Sequence, residues 1–207
     1  MPSEQTKIVL CDLDGTLASS AWRDHLVEGK RKNWTDYYKG IPFDNIIPKV
    51  KSTLEAHVRD GCHIVYITAR EELLVDGTRT RDGREDRVSL PIRKWTEDWL
   101  HKHSAPGWPS GATLLMRKHK DHRPSSVVKE DMLIKYLGGN KSNNVVLALD
   151  DNESVINMYR RNGIENAILV TDPGVSPSIQ DQHDAFTKNL PVARLLAKAA
   201  SWIDSKG

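Results

Sequence analysis

The sequence predicts an α/β fold with a central parallel sheet of about five strands, helices on both faces and a small or minimal cap. Three observations predict it. Five short runs rich in Val, Ile and Leu recur along the chain, segments with apolar residues at helical spacing lie between them, and polar or acidic residues directly follow several runs. In an open parallel sheet the carboxyl ends of the strands are where ligands bind.

The first run, KIVLC at 7–11, leads straight into Asp12-Leu13-Asp14-Gly15-Thr16. Residues 18–45 hold Trp22, Trp34, Tyr37 and Tyr38 and suit small cap elements. Ile46, Ile47, Val50, Leu54 and Val58 recur at helical spacing, and Gly61 closes that helix. HIVYI at 63–67 is followed by Thr68-Ala69-Arg70. The stretch 75–87, VDGTRTRDGREDR, is polar and Gly-containing, so an exposed loop or the base of a small insertion within 71–90 is expected. A helix over 92–101 has Pro91 at its first turn and Trp95, Trp99 and Leu100 among its apolar positions. ATLLM at 112–116, a helix near 127–137, NVVLAL at 144–149 with Asp150-Asp151 behind it, a helix over 153–162 and NAILV at 166–170 continue the alternation. A last helix is expected over 191–203, carrying Leu195, Leu196 and Trp202.

At 207 residues the chain can bury one sizeable core but is short for two, so 1–207 reads as a single domain. With 38% hydrophobic and 28% charged residues and no biased tract, it has the composition of an ordinary globular protein. A formal charge of +2 does not make the whole molecule a basic particle, so any affinity for nucleic acid must come from local clusters. Cys11 and Cys62 each lie beside an apolar run and read as buried, reduced thiols, which fits the cytoplasm. No membrane attachment is expected, because the opening MPSEQTK lacks an apolar core and no stretch approaches the ~20 apolar residues of a membrane helix.

Four carboxylates, Asp12, Asp14, Asp150 and Asp151, should converge at one sheet edge, where they would repel one another strongly unless a cation neutralised them. Oxygen ligands with no accompanying Cys or His favour Mg2+ over zinc. DxDG also begins a calcium-binding loop, but that loop needs another Asp or Asn before its Gly and a Glu at its twelfth position, where Arg23 stands here.

DLDGT, a Thr at the end of a second strand, a Lys and then a paired Asp, in that order from Lys7 to Asp172, resemble the four motifs of the haloacid dehalogenase superfamily. The resemblance implies a Rossmann-like haloacid dehalogenase fold and a Mg2+-dependent phosphatase. It makes Asp12 the nucleophile, Asp14 the general acid and base, Thr68 a donor to the phosphoryl oxygens, and Asp12, Asp14, Asp150 and Asp151 the acidic groups around the metal. Lys129 is the expected cation on the transferring phosphoryl group, with Lys118 and Lys120 as rivals. The chemistry agrees: a carboxylate nucleophile divides phosphate-ester hydrolysis into formation and breakdown of an acyl phosphate. Asp14 can serve both halves if its surroundings raise its pKa.

DLDGTLA, TAR at 68–70, IRKWTEDWL at 92–100, LLMRK at 114–118, SSVVKED at 125–131 and LALDDNESVINMYRRNGI at 147–164 are similar to the 3′-phosphatase domain of phage and bacterial polynucleotide kinase-phosphatases. That resemblance makes Arg23 and Arg70 substrate-binding residues, two guanidiniums able to clamp a terminal phosphate. Ser125 departs from the pattern, which has an acidic residue four positions before the Lys; Asp121 or Glu130 could supply it. No GxxxxGKS/T occurs, so no kinase domain is expected, and GGNKS at 138–142 lacks the spacing to cradle phosphates.

The basic run Arg117–Arg123 and the arginines at 79, 81, 84 and 87 could follow a phosphate backbone or be solvated loops. Trp22, Trp34, Tyr37 and Tyr38 could stack a base or pack in the core. The expected substrate is a nucleic acid 3′-phosphate end or a nucleotide, as for a polynucleotide 3′-phosphatase. The alternative is a phosphatase of small metabolites, above all nucleoside 5′-monophosphates; a non-catalytic phosphate-binding protein is disfavoured by the presence of both Asp12 and Asp14. The residues carry no signal of oligomeric state.

Overall fold

A computed structural model of the chain describes residues 6–79, 85–138 and 144–174. The helix expected over 191–203 lies outside them. In chain order the elements are β1 (Ile8–Cys11), β2 (Ala18–Ser19), a 3-10 turn (Ala21–Leu26), α1 (Trp34–Lys39), a second 3-10 turn (Ile41–Phe43), β3 (Asn45–Ile46), α2 (Pro48–Arg59), β4 (His63–Glu71), β5 (Leu74–Arg79), β6 (Glu85–Leu90), α3 (Ile92–Lys102), β7 (Ala112–Arg117), α4 (Ser125–Leu137), β8 (Val145–Asp150), α5 (Glu153–Arg161) and β9 (Ala167–Leu169).

All five apolar runs become strands of one sheet, ordered β7-β4-β1-β8-β9, with every neighbouring pair parallel. The chain moves outward from β1 through β4 to β7, then crosses back to β8 and β9 on the other side. The order therefore reverses beside β1, and the crevice at the carboxyl end of β1 is the topological place for a ligand.

Alternation along the strands sorts the core into two layers. Val9 and Cys11 of β1, with Ile64 and Tyr66 of β4 and Leu147 and Leu149 of β8, pack with Val50 and Leu54 of α2 and Ile92, Trp99 and Leu100 of α3. Ile8 and Leu10, with Val65 and Ile67, pack on the other face with Leu133 of α4 and Val155, Ile156 and Met158 of α5. A strand buried on both faces needs apolar side chains at every position, which is why these strands read as continuous runs. Cys11 and Cys62 are buried free thiols in the first layer.

The structure moves two expected boundaries. Ile46 lies in β3 and Ile47 caps α2, which starts at Pro48. Proline disfavours a helical residue before it and is well suited to the first helical turn, so the apolar spacing overran the true start. Within the stretch 75–87, expected as an exposed loop or the base of a small insertion, the described residues are strand: β5 and β6 pair antiparallel from Leu74↔Leu90 to Arg79↔Glu85. Residues 18–45, where small cap elements are expected, hold α1, the two 3-10 turns and β2, which pairs antiparallel with β3. Among the described residues, no helix is long and apolar enough to cross a membrane.

Candidate active site

The loop leaving β1 is fixed by the backbone. The Asp12 amide donates to the Leu149 carbonyl at 3.0 Å, and the Leu13 carbonyl accepts from the amides of Thr16, Leu17 and Ala18. Gly15 makes this turn at φ +74°, a conformation side chains rarely adopt, and a Cβ there would collide with the Asp151 carboxylate. The turn sends the side chains of Asp12 and Asp14 to two separate clusters.

At the first, Lys129 Nζ lies 2.9 Å from Asp12 Oδ2 and 2.7 Å from Asp150 Oδ2. Asp150 Oδ1 accepts the Asn152 amide at 3.0 Å. Asp12, Asp150 and Asp151 each bring a carboxylate oxygen within 4.8 Å of the others. Burial and the charges of Asp150 and Asp151 push Asp12 well above the usual carboxylate range, with Lys129 opposing them. Burial and Asp150 likewise push Asp151 up to about 6. Asp12 Oδ1 is buried without a hydrogen-bond partner among the described residues. Three carboxylates face one ammonium here, leaving an excess of two negative charges and an orphaned oxygen. A divalent cation with oxygen ligands fits that deficit in both charge and coordination.

At the second cluster, Arg70 Nε and Nη2 donate to Asp14 at 2.8 and 2.7 Å, and Arg23 Nη2 pairs with the same carboxylate. Arg23 also grips Asp44 through Nε at 2.9 Å and through Nη2, and donates Nη1 to the Tyr37 carbonyl. Arg70 Nη1 reaches the Thr96 hydroxyl at 3.3 Å. Both guanidiniums are completely enclosed. Burial would raise the Asp14 pKa, but the charges of Arg70 and Arg23 outweigh it and hold the carboxyl well below its usual range.

These contacts bear on the sequence expectations. The Asp14 side chain pairs with the arginines and lies outside the group formed by Asp12, Asp150 and Asp151. Its surroundings lower its pKa instead of raising it. Arg23 and Arg70 both pair with Asp14 and Asp44, and of the two Arg70 also lines the cleft.

Asp12, Asp14, Thr68, Lys129 and Asp151 line one cleft of about 560 Å³. Thr68, at the carboxyl end of the strand core of β4, is buried with its Oγ1 accepting the Arg70 amide at 3.2 Å. Lys129 projects from α4 into the carboxylates, whereas Lys118 and Lys120 are exposed. Arg117, His122 and Arg123 reach the cleft wall, so part of the basic run does adjoin the site. Arg117 also braces the loop through the carbonyls of Ala69, Asp121 and Arg123. The side chains at 79, 81, 84 and 87 and the segment GGNKS beyond Gly138 lie outside the described residues. Ser125 opens α4 beside the cleft; Asp121 is paired with Arg123 and Glu130 accepts from Asn162, so both candidate substitutes for an acid at 125 are engaged elsewhere. A second cavity, about 680 Å³, runs along β7 and contains none of these carboxylates, so chemistry and not size identifies the site.

Asp44 carries no signal in the sequence. It lies in an aperiodic stretch and acts on Arg23, 21 residues away, and on the indole of Trp22. Asp172 was equally silent: it accepts from the Ser19 hydroxyl and the Ser20 and Ala21 amides, tying the exit of β9 to the start of the cap.

Residues 6–171 match the family model of the polynucleotide kinase PNKP phosphatase domain. The fold is shared with a chain in a structure of the Pnkp1/Rnl/Hen1 RNA repair complex, at TM-score 0.55 and 22% identity over 82% of this chain and 44% of that one. A second structure of the Pnkp1/Rnl/Hen1 complex gives 0.56 and 23% over 82% and 47%. The class C acid phosphatase from Bacillus anthracis with tungstate bound gives 0.53 and 14% over 91% and 81%. This chain thus spans less than half the length of the RNA repair chains it matches, and at these identities the likeness is one of fold. With the family model covering most of the chain, and a parallel sheet presenting the DLDGT loop and the paired Asp at one crevice, the chain belongs to the family of PNKP phosphatase domains and is a phosphatase of the haloacid dehalogenase type.

Proposed function

We propose that the protein removes the phosphoryl group from the 3′-phosphate end of a nucleic acid or from a 3′-nucleotide, in a Mg2+-dependent reaction that passes through an aspartyl-phosphate on Asp12. The observation that carries this reading is the orphaned Oδ1 of Asp12 at the cleft, beside a cluster that lacks two positive charges. Asp12, Asp150 and Asp151 would hold the ion, which supplies the charge that offsets repulsion between an anionic nucleophile and an anionic ester.

In the first half, a carboxylate oxygen of Asp12 bonds to phosphorus as the bond to the departing 3′-oxygen breaks, and that oxygen takes a proton from the Asp14 carboxyl. In the second, Asp14 accepts a proton from water, whose oxygen attacks the same phosphorus and frees Asp12. Pairing with Arg70 and Arg23 keeps Asp14 in its proton-accepting form, so the donating half requires its carboxyl to turn from the guanidiniums into the cleft, where its side chain is already one-fifth exposed. Lys129 and Thr68 offer donors to the oxygens of the transferring group. The small cap and the basic residues on the cleft wall favour a polymer end over an enclosed metabolite.

The test is phosphate release from a 3′-phosphorylated oligonucleotide, its 5′-phosphorylated counterpart and a set of nucleoside monophosphates, with and without Mg2+. Preference for the 3′-end, lost in EDTA and in Asp12→Asn, is the expected result. Release confined to 5′-monophosphates would overturn the nucleic acid assignment in favour of a metabolite phosphatase.

A further inference from the structure

Of the aromatic residues in the cap, Tyr37 and Tyr38 are buried, while Trp34 is 40% exposed at the wall of the same cleft as Asp12 and Lys129. Its mounting is stiff. Tyr38 stacks with its ring at 5.8 Å and 28°, and Tyr37 meets it edge-on at 5.6 Å and 82°. Tyr37 in turn lies under the Arg23 guanidinium, 4.0 Å from the ring centroid, and α1 is capped by Asn33, whose side chain accepts the Asp36 amide at 3.1 Å. The indole is therefore anchored, through Tyr37 and Arg23, to the group that holds Asp14. Lys32, exposed and also lining the cleft, places Nζ 5.6 Å from the Trp34 centroid.

A large aromatic left in water, backed by two rings and facing a phosphate-handling site, has the form of a stacking platform, since every base presents a π-face of the same kind. We infer that Trp34 stacks the nucleobase of the terminal nucleotide whose 3′-phosphate is removed, with Lys32 meeting the next phosphodiester. The inference rests on the 3′-phosphatase reading and adds the feature by which the end is recognised: a base on the last sugar, of any sequence. It also makes Trp34 a specificity residue that acts on binding and leaves the chemical step alone.

The experiment compares two 3′-phosphorylated oligonucleotides, one ending in an ordinary nucleotide and one in an abasic sugar, for wild type, Trp34→Ala and Trp34→Phe. Trp34→Ala should raise KM for the base-bearing end about tenfold with kcat unchanged, leave the abasic end unaffected, and be largely rescued by Trp34→Phe. An equal effect on both ends, or none on either, overturns the platform. Fluorescence anisotropy with Asp12→Asn separates this from failure of the phosphatase reading. If wild type cleaves neither oligonucleotide but Asp12→Asn still binds the base-bearing end more tightly, and Trp34→Ala removes the difference, the platform stands alone; if that difference is absent, it falls.

Discussion

Asp12 and Asp14 stand two residues apart on one loop, both largely enclosed, yet their surroundings are opposite in kind. Asp12 sits with Asp150 and Asp151 against the single ammonium of Lys129, and one of its oxygens has no partner. Asp14 sits with Asp44 against the two guanidiniums of Arg23 and Arg70, a set whose charges cancel and whose donors are used. A buried cluster that is neutral and hydrogen-bonded is complete as it stands; one with surplus charge is complete only with a ligand. On the proposed mechanism, the difference separates the part of the site that would take a metal and a phosphate from the part that would hold a proton carrier in place.

The largest effect should come from Asp12→Asn, which loses phosphate release by about 10⁴-fold or more, as removal of a nucleophile does. The same change relieves repulsion in the surplus cluster, so the melting temperature in EDTA should be unchanged or higher. A fall in EDTA stability would show that Asp12 is a structural partner of Lys129 before it is a nucleophile.

Asp44→Asn tests the other cluster. It leaves the buried Arg23 guanidinium without one of its two carboxylate partners and should cost about 3–5 kcal/mol in urea unfolding, by the same amount with Mg2+ and with EDTA. Rescue by Mg2+ would mean that the two clusters share charge.

This contrast marks where the sequence was readable. The central strands β4, β1 and β8 were legible because burial on both faces demands apolar runs, and Asp12, Thr68 and Asp150 were legible because each follows such a run at the sheet edge. Lys129 needed only the next helix. The partner of Asp14 was not legible: Asp44 sits between two aperiodic segments, and the direction in which Asp14 turns depends on where β4 and the cap deliver Arg70 and Arg23. The β5–β6 pairing was hidden by charges dense enough to blur alternation and by two Asp-Gly pairs, one of which, Asp76-Gly77, lies inside β5.

Metal removal sharpens the comparison from the side of the surplus cluster. At a Mg2+ concentration about 100 times Kd, binding to the native state alone should stabilise wild type by about 2.7 kcal/mol over EDTA. Asp150→Asn should abolish most of that gain, since it removes one ligand and half of the charge deficit, while Asp44→Asn should retain it on a lower baseline. A gain that survives Asp150→Asn would place the ion elsewhere.

The smallest effect lies in pH. Burial and Asp150 raise Asp151 to about 6 from an ordinary 3.8, so without metal the folded protein binds more protons than the unfolded chain between those values. Stability linked to this group is then fully present below about pH 3.8 and is lost as pH rises through about 6. A divalent ion needs the carboxylate, so its binding should release that proton, and Mg2+ affinity should rise about tenfold from pH 5 to pH 7 before levelling off. Asp14 contributes nothing across this range, because Arg70 and Arg23 keep it ionised well below it. Isothermal titration of Mg2+ in buffers of different ionisation enthalpy counts the protons released. A flat profile in Asp151→Asn, with the slope kept in wild type, assigns the proton to that cluster; a slope kept in both would move it to Asp12, whose surroundings also raise its pKa.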